Sequence, residues 1–197
     1  MLDIETPHGS ARAHLTKVRG AAGAVVLGHG AGGGVGAPDL VTVAEVAQAE
    51  KLSVALVEQP YRVAGRRSPA PAAQLDAAWI AVVAHLRATA FKRVPIVCGG
   101  RSSGARVACR TSAETGSVGV LCLAFPLHPP GRPEKSRLDG LDAVSVPVLV
   151  VQGASDPFGM PPPGPSRTVV TIAGNHSLRS DREALRTAVR DWLSQVL

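Results

Sequence analysis

Ser102 is the residue whose type and surroundings most directly indicate chemistry. It is the central residue of Gly100-Arg101-Ser102-Ser103-Gly104, a G-x-S-x-G pattern between an apolar run and a helix-like segment. At a sharp strand-to-helix turn this pattern projects the serine hydroxyl above a sheet, because the glycines let strand and helix approach without side-chain clashes. A helix that begins just after the serine also directs backbone N–H groups at the hydroxyl. The pattern therefore predicts a nucleophilic serine rather than a plain serine-rich turn.

Two further residues with suitable chemistry follow other apolar runs. Asp156 lies in the segment GASDP after one predicted strand, and His176 lies in a short loop before the last predicted helix. Each alone has an ordinary interpretation, since an acid after a strand often forms a turn and a loop histidine often lies on the surface. The chain order Ser102, Asp156, His176, each at a strand end, is the order of a known serine–histidine–acid triad. Together they predict a serine activated by a histidine that the aspartate orients.

A glycine-rich loop supplies candidate backbone donors. Six glycines fall within the nine residues 28–36, directly after an apolar run. Glycines this dense let backbone N–H groups approach an anion closely. In one interpretation that anion is the oxyanion of an ester under attack, and the N–H groups of Ala31 and Ser103 bind it.

The same loop has a second interpretation as a nucleotide site. Gly28, Gly30 and Gly33 match the G-x-G-x-x-G spacing that holds a dinucleotide pyrophosphate, and Glu58 would bind the ribose. That site requires a helix that starts at the glycines, whereas the next predicted helix begins only at Pro38. This alternative also leaves the serine, acid and histidine unexplained.

Four residues beside these segments are candidates for substrate contact: His29, Gly30, Arg101 and His128. Arg101 could bind a carboxylate or phosphate of the substrate, and an ion pair that braces the turn is an equal alternative. His128 could line the pocket, although a loop histidine between prolines also has an ordinary structural interpretation.

The composition of the 197 residues argues against nucleic-acid binding. The formal net charge is +6, but only 3% of the residues are aromatic, whereas nucleic-acid sites combine a basic stripe with stacking aromatics. The arginines are spread along the chain, so we expect a solvated basic surface and no nucleic-acid partner.

Metal ions, cofactors and membranes are not expected either. The three cysteines form no C-x-x-C and the six histidines form no H-x-x-x-H, the spacings typical of zinc sites. The cysteines are predicted to be buried small hydrophobes. No apolar stretch approaches the length of a membrane span, and acids stand near the N-terminus where a signal peptide is basic and then apolar. We therefore expect a cytoplasmic protein.

The elements that must position these residues alternate along the chain. After two short strands (Leu2–Thr6 and Arg12–Val18), apolar runs bounded by turn residues alternate with helical periodicity. Continuous apolar strands indicate a parallel sheet covered on both faces. The predicted strands are Ala24–Gly28, Ser53–Val57, Val94–Cys98, Val118–Phe125, Val146–Gln152 and Thr168–Ile172, and the predicted helices are Pro38–Lys51, Ala72–Ala90, Gly104–Glu114 and Asp181–Val196. The prediction is one α/β domain over residues 1–197, with a mostly parallel central sheet and helices on both faces.

These motifs resemble those of compact α/β-hydrolases, in particular dienelactone-hydrolase-like proteins. More narrowly, the chain is similar to a small family that includes testis-expressed hydrolase-like proteins and a subunit of a histone acetyltransferase complex. The segments that carry the likeness are 29–33 (HGAGG), 100–106 (GRSSGAR), 125–131 (FPLHPPG), 153–157 (GASDP) and 174–176 (GNH). The resemblance implies an α/β-hydrolase fold and a triad more firmly than it implies a reaction.

Two classes of function lead at this point, ahead of a nucleotide-binding oxidoreductase of the Rossmann type, which the glycine-rich loop keeps open as a third. One is a serine hydrolase that cleaves a small or soluble carboxylic ester or thioester without a cofactor, as a monomer or homodimer. The short, Pro- and Gly-rich connection 127–145 predicts no substantial lid domain, which favours small acyl substrates. The other is a non-catalytic binding module on the same scaffold, which fold alone does not distinguish.

Overall fold

Eight strands form one sheet in the computed structural model, which describes residues 1–197. They are β1 (Leu2–Thr6), β2 (Gly9–Thr16), β3 (Ala24–Gly28), β4 (Ser53–Glu58), β5 (Ile96–Arg101), β6 (Gly119–Leu123), β7 (Val148–Gly153) and β8 (Arg167–Ile172). Their order across the sheet is β1-β2-β4-β3-β5-β6-β7-β8. β2 is antiparallel to both β1 and β4, and the strands from β4 to β8 are parallel. The predicted mostly parallel sheet is confirmed.

Helices cover both faces of this sheet, as predicted. They are α1 (Pro38–Ala49), α2 (Pro60–Val63), α3 (Ala72–Ala88), α4 (Ser103–Arg110), α5 (Ser112–Thr115), α6 (Leu138–Asp142) and α7 (Arg182–Val196). α1 and α7 pack against each other and bury one apolar cluster on the first face. α3, α4 and α6 bury a second cluster on the opposite face. The sheet therefore has no broad solvent-exposed face.

The central strands are buried on both sides. Every residue of β3, β6 and β7 is buried, which explains why these strands are continuous apolar runs rather than alternating ones. All three cysteines are buried and unpaired, with the sulfur atoms of Cys109 and Cys122 3.5 Å apart. The prediction that they act as small core residues is confirmed.

β5 extends further than the sequence predicts. The predicted strand Val94–Cys98 starts two residues too early and ends three residues short of Arg101. Gly99 and Gly100 suggest a turn in the sequence, yet both belong to the strand. A Cβ at Gly99 would overlap the carbonyl oxygen of Leu121 on β6. Glycine is used here for close packing between strands rather than for a turn.

The short helices are where prediction and structure differ most. α2 and α6 have four and five residues, too few to show apolar periodicity. The predicted helix Gly104–Glu114 is interrupted at Thr111, whose hydroxyl donates to the Val107 carbonyl at 2.8 Å, while the Ser112 hydroxyl donates to the Cys109 carbonyl at 3.0 Å. Hydroxyls that bond to the preceding turn compete with helix continuation.

The connection between β6 and β7 forms no substantial lid. Its one regular element is α6, which packs against α4. The carboxyl edge of the parallel strands is therefore not covered by an inserted helical domain. None of the helices combines the length and the apolar composition that crossing a bilayer requires.

Candidate active site

Ser102 occupies a strained turn between β5 and α4. Its backbone has φ 51° and ψ −107°, a region that costs a non-glycine residue on the order of 1–3 kcal/mol. The N–H of Ser102 donates to the Leu123 carbonyl at 2.9 Å, and its carbonyl accepts from the Arg106 N–H at 3.2 Å. The turn is therefore held from the strand on one side and from the helix on the other.

Three glycines make this turn sterically feasible. A Cβ at Gly100 would overlap the carbonyl oxygen of Gly28, and a Cβ at Gly104 would overlap the same oxygen and lie 2.9 Å from the His29 carbonyl. A Cβ at Gly28 would lie 3.2 Å from the Trp79 ring. The backbones of β3, β5 and α4 thus approach each other too closely for side chains.

The side chains of Ser102, His176 and Asp156 form a continuous hydrogen-bonded chain. The Ser102 hydroxyl lies 3.0 Å from Nε2 of His176, and Nδ1 of His176 lies 2.8 Å from Oδ2 of Asp156. A carboxylate only accepts, so Nδ1 carries the hydrogen and Nε2 is left to accept from the serine. Asp156 comes from the loop after β7 and His176 from the loop after β8. The structure brings together the three residues at the strand ends that the sequence singled out.

The Asp156 side chain is buried, and hydrogen bonds hold both of its carboxylate oxygens. Its side chain is 1% exposed. Oδ2 also accepts from Nε2 of Gln152 at 2.9 Å, and Oδ1 accepts from the Phe158 N–H at 2.9 Å. The Phe158 ring stacks on the His176 imidazole, with centroids 4.3 Å apart and planes tilted by 34°. These contacts hold both the carboxylate and the imidazole in one orientation.

The backbone N–H groups of Ala31 and Ser103 form no hydrogen bond within the protein. Ser103 is the first residue of α4, where N–H groups lack an intrahelical partner. Gly30, which precedes Ala31, lies against the serine turn: a Cβ there would be 3.1 Å from Nη1 of Arg101 and 3.7 Å from Cβ of Ser102. The Tyr61 hydroxyl donates to the Ala31 carbonyl at 2.9 Å and anchors the loop. Gly30 is thus a close-packing residue in this structure.

His29 has a bracing role that differs from the expected substrate contact. It is 3% exposed. Its Nδ1 donates to the Gly30 carbonyl at 2.8 Å, and its Nε2 accepts from the Gln59 N–H at 3.1 Å. Burial lowers the pKa of His29 below its usual value, consistent with a neutral ring. Because both ring nitrogens are engaged, His29 has no polar atom left for a substrate.

Arg101 forms an ion pair that braces the serine turn, the second of the two roles that the sequence allows for it. Its Nε lies 2.8 Å from Oδ2 of Asp39, whose side chain is fully buried at the start of α1. Its Nη2 donates to the backbone carbonyl of His176 at 3.0 Å. Arg101 therefore connects α1, the serine turn and the histidine loop, instead of pointing a free guanidinium at a substrate.

His128 packs against the loop that carries the aspartate. Its Nδ1 donates to the Pro129 carbonyl at 2.9 Å, and its backbone N–H donates to the Phe158 carbonyl at 3.0 Å. A Cβ at Gly159 would overlap the imidazole. His128 therefore helps to shape this loop and forms no hydrogen bond with Ser102 or His176.

The features of a nucleotide site are not assembled. Glu58, the candidate ribose ligand, is engaged by Nε2 of His14 on the neighbouring strand at 3.0 Å. α1 begins at Pro38, beyond the glycine loop. The histidine, cysteine and acidic side chains form no cluster of three or more that could hold a metal ion.

Three residues of the site are not predicted from the sequence: Gln152, Asp39 and Phe158. Gln152 has a detectable signal, since it is a polar residue inside an otherwise apolar, buried strand. Asp39 follows Pro38 and reads as an ordinary acid in the first turn of a helix. Phe158 lies in a Pro- and Gly-rich loop whose path the sequence does not reveal.

This arrangement can transfer a proton from Ser102 to His176. A hydroxyl hydrogen-bonded to a neutral imidazole, which a buried carboxylate orients, is a nucleophile with its base in place. Two unpaired N–H groups next to it can stabilise negative charge. The geometry needs no metal ion for either step.

The chain matches one protein-family model and is similar in fold to several solved structures. A family model described as an alpha/beta hydrolase domain matches residues 21–193. Est1E from Butyrivibrio proteoclasticus, solved with ferulic acid bound, superposes with a TM-score of 0.81 at 16% identity, covering 100% of this chain and 99% of that one. XC6422 from Xanthomonas campestris, described as a serine hydrolase without a lid, gives 0.75 at 20% identity over 97% and 93% of the two chains.

A dienelactone hydrolase from Anabaena variabilis gives a TM-score of 0.74 at 19% identity, covering 99% of this chain and 94% of that one. At such identities the likeness establishes the fold alone. It agrees with the fold that the sequence motifs imply.

The buried Asp39 predicts a specific pH dependence of stability. Burial raises the pKa of Asp39 above its usual 3.8, although Arg101 opposes the shift. Between 3.8 and that raised value the folded protein holds a proton that the unfolded chain has lost, so stability falls as pH rises through this window. Relative to Asp39→Asn, wild type should therefore lose free energy of unfolding as the pH rises above 3.8. Urea unfolding of both proteins measures this difference.

Ser194→Ala, at an exposed position on α7, is the control and should track wild type at every pH. The free energy of unfolding of wild type minus that of Asp39→Asn should fall with pH. If this difference stays constant or rises with pH, burial does not dominate the ionisation of Asp39.

Proposed function

The chain belongs to the alpha/beta hydrolase domain family, and on this basis we propose that it is a serine hydrolase that cleaves a small or soluble carboxylic ester or thioester. The observation that carries the proposal is the hydrogen-bonded chain from the Ser102 hydroxyl through His176 to the buried Asp156. A strained serine turn positioned by glycines is a costly feature for a fold that needs only stability.

In the proposed reaction Ser102 Oγ attacks the acyl carbon while Nε2 of His176 takes its proton. The tetrahedral intermediate collapses as the bond to the leaving alcohol or thiol breaks, and that group receives the proton from His176. Water, deprotonated by the same imidazole, then attacks the acyl-enzyme. The second tetrahedral intermediate then collapses: the bond to Ser102 Oγ breaks, the carboxylic acid leaves, and His176 returns the proton to Ser102.

Asp156 holds the imidazole in the tautomer that this cycle requires. Three hydrogen-bond donors (His176, Gln152 and the Phe158 N–H) hold the Asp156 carboxyl group in a fixed orientation. The charge of the carboxylate then stabilises the imidazolium that forms during the reaction.

The N–H groups of Ala31 and Ser103 are the proposed oxyanion hole. Both lack a partner within the protein. One such donor contributes about 3–4 kcal/mol to transition-state stabilisation where it has been removed in other enzymes. The brace of Arg101 between Asp39 and the His176 carbonyl maintains the spacing between the serine turn and the histidine loop.

An open site supports a small or soluble acyl group. The connection between β6 and β7 contributes only the five-residue α6, so nothing from that segment encloses a long chain. The narrower kinship with testis-expressed hydrolase-like proteins, suggested by the sequence motifs, is part of the proposal. One member of that family is a complex subunit, which makes a non-catalytic module the alternative that the first experiment addresses.

Ser102→Ala tests the proposed reaction. With p-nitrophenyl acetate as substrate, kcat/KM should fall by about 10⁴-fold or more, because loss of the nucleophile removes the acyl-enzyme pathway. Ser194→Ala is the matched control and should retain wild-type kcat/KM. Hydrolysis that persists in Ser102→Ala would show that Ser102 is not the nucleophile. No hydrolysis by folded wild-type protein would favour the non-catalytic binding module.

Acyl-chain length tests the open site. Among p-nitrophenyl esters, kcat/KM should be highest for acetate and butyrate and lowest for long acyl chains, since no lid buries the extra methylenes. The measurement is a steady-state series at substrate concentrations below micelle formation. A preference for long chains would contradict the proposed substrate class.

A further inference from the structure

A positively charged cavity lies on α4, away from the serine side chain. Its volume is about 180 Å³, and its lining residues are Arg106, Arg110, Arg137, Cys109, Phe125 and Gly140. At ~30 Å³ per water molecule, this is room for several waters or for one phosphate or carboxylate group. None of these residues belongs to the hydrogen-bonded chain at Ser102.

The three arginines differ in how they are neutralised. Arg110 is paired with Asp76 on α3 through two hydrogen bonds, at 2.7 and 2.6 Å. The Arg137 guanidinium donates only to the Pro126 carbonyl, at 2.9 Å. The side chain of Arg106 takes part in none of the ion pairs and donates no hydrogen bond within the protein. Three guanidinium groups therefore share one carboxylate.

This arrangement is unfavourable without a ligand. Burial, then the charges of Arg137 and Arg110, lower the pKa of Arg106 to about 10, and Asp76 offsets this only in part. Phe125 and Cys109 are buried apolar side chains on the cavity wall, so water screens the repulsion less than at an open surface. A bound anion would remove the repulsion and supply the acceptors that Arg106 lacks.

Guanidinium groups match the geometry of two kinds of anionic group. Their N–H donors form paired hydrogen bonds with carboxylates and with phosphates, and both bonds gain strength from the opposite charges. Lysine would offer only a point charge, whereas these guanidinium groups suit a planar or tetrahedral oxyanion.

We propose that the cavity lined by Arg106, Arg110 and Arg137 binds the phosphate or carboxylate group of a small ligand. The site is one helical turn from the serine, because the Arg106 N–H donates to the Ser102 carbonyl. The group belongs either to an acidic substrate or to a separate small molecule. The binding itself does not depend on the reaction proposed above.

Isothermal titration of wild-type protein with inorganic phosphate, and separately with succinate, tests the site at constant ionic strength. At least one anion should bind saturably with one site, and Arg106→Gln should weaken it at least about 10-fold. Arg190→Gln, an exposed arginine on α7, is the matched control and should bind like wild type. The bound anion should also raise the Tm of wild type but not of Arg106→Gln.

Arg106→Gln should fold normally, since the Arg106 side chain makes no hydrogen bond that the fold could lose. Arg137→Gln provides an independent second variant with the same expected loss of binding. Absence of saturable binding to wild type, or equal binding by wild type and both variants, would overturn the proposal.

A kinetic comparison distinguishes the two sources of the anion and rests on the proposed esterase activity. If the anion is part of the substrate, Arg106→Gln lowers kcat/KM for the mono-p-nitrophenyl ester of glutaric acid but not for p-nitrophenyl butyrate. If it is a separate ligand, the two esters respond alike to the substitution while calorimetry still shows the loss of binding.

Discussion

The lack of room for any Cβ where β3, β5 and α4 meet is the constraint on which the site depends. Gly100 and Gly104 both face the Gly28 carbonyl oxygen at distances that no side chain tolerates. Only this close approach lets the chain turn from strand to helix within one residue. That residue is Ser102, whose positive φ is maintained because strand and helix are both fixed in the packed sheet. The half-buried Ser102 can occupy this turn because Gly100 and Gly104, two residues to either side of it, have no side chains.

Parallel strands then bring the remaining groups to the same edge. β5, β7 and β8 run in one direction and end at the same edge of the sheet, with only β6 between β5 and β7. Loops distant in the chain therefore meet at the serine. Two further contacts fix the positions of these loops. Gln152 on β7 donates a hydrogen bond to Asp156, and Arg101 links the serine turn to α1 and to the histidine loop. The site is thus supported from the sheet and from the helix layer formed by α1 and α7.

The main strands and helices, and the residues Ser102, Asp156 and His176, can be predicted from the sequence because each has a local signature. Continuous apolar runs mark the strands, G-x-S-x-G marks the turn, and Asp156 and His176 follow strand ends. The contacts that hold these residues are formed between distant segments, which a single sequence does not show. Asp39 and Phe158 belong to this group, and so does the bracing role of His29. At Gly99 and Gly100 the sequence predicts a turn where the structure has the end of β5, because glycine serves close packing as well as turns.

Whether Ser102 is an activated nucleophile is most directly measured by reacting the purified protein with a fluorophosphonate and locating the adduct by mass spectrometry. The hydrogen-bonded chain at Ser102 predicts a single adduct on Ser102, formed by wild type and absent from Ser102→Ala. Folded protein that forms no adduct, or an adduct on another residue while Ser102 stays unmodified, would contradict it.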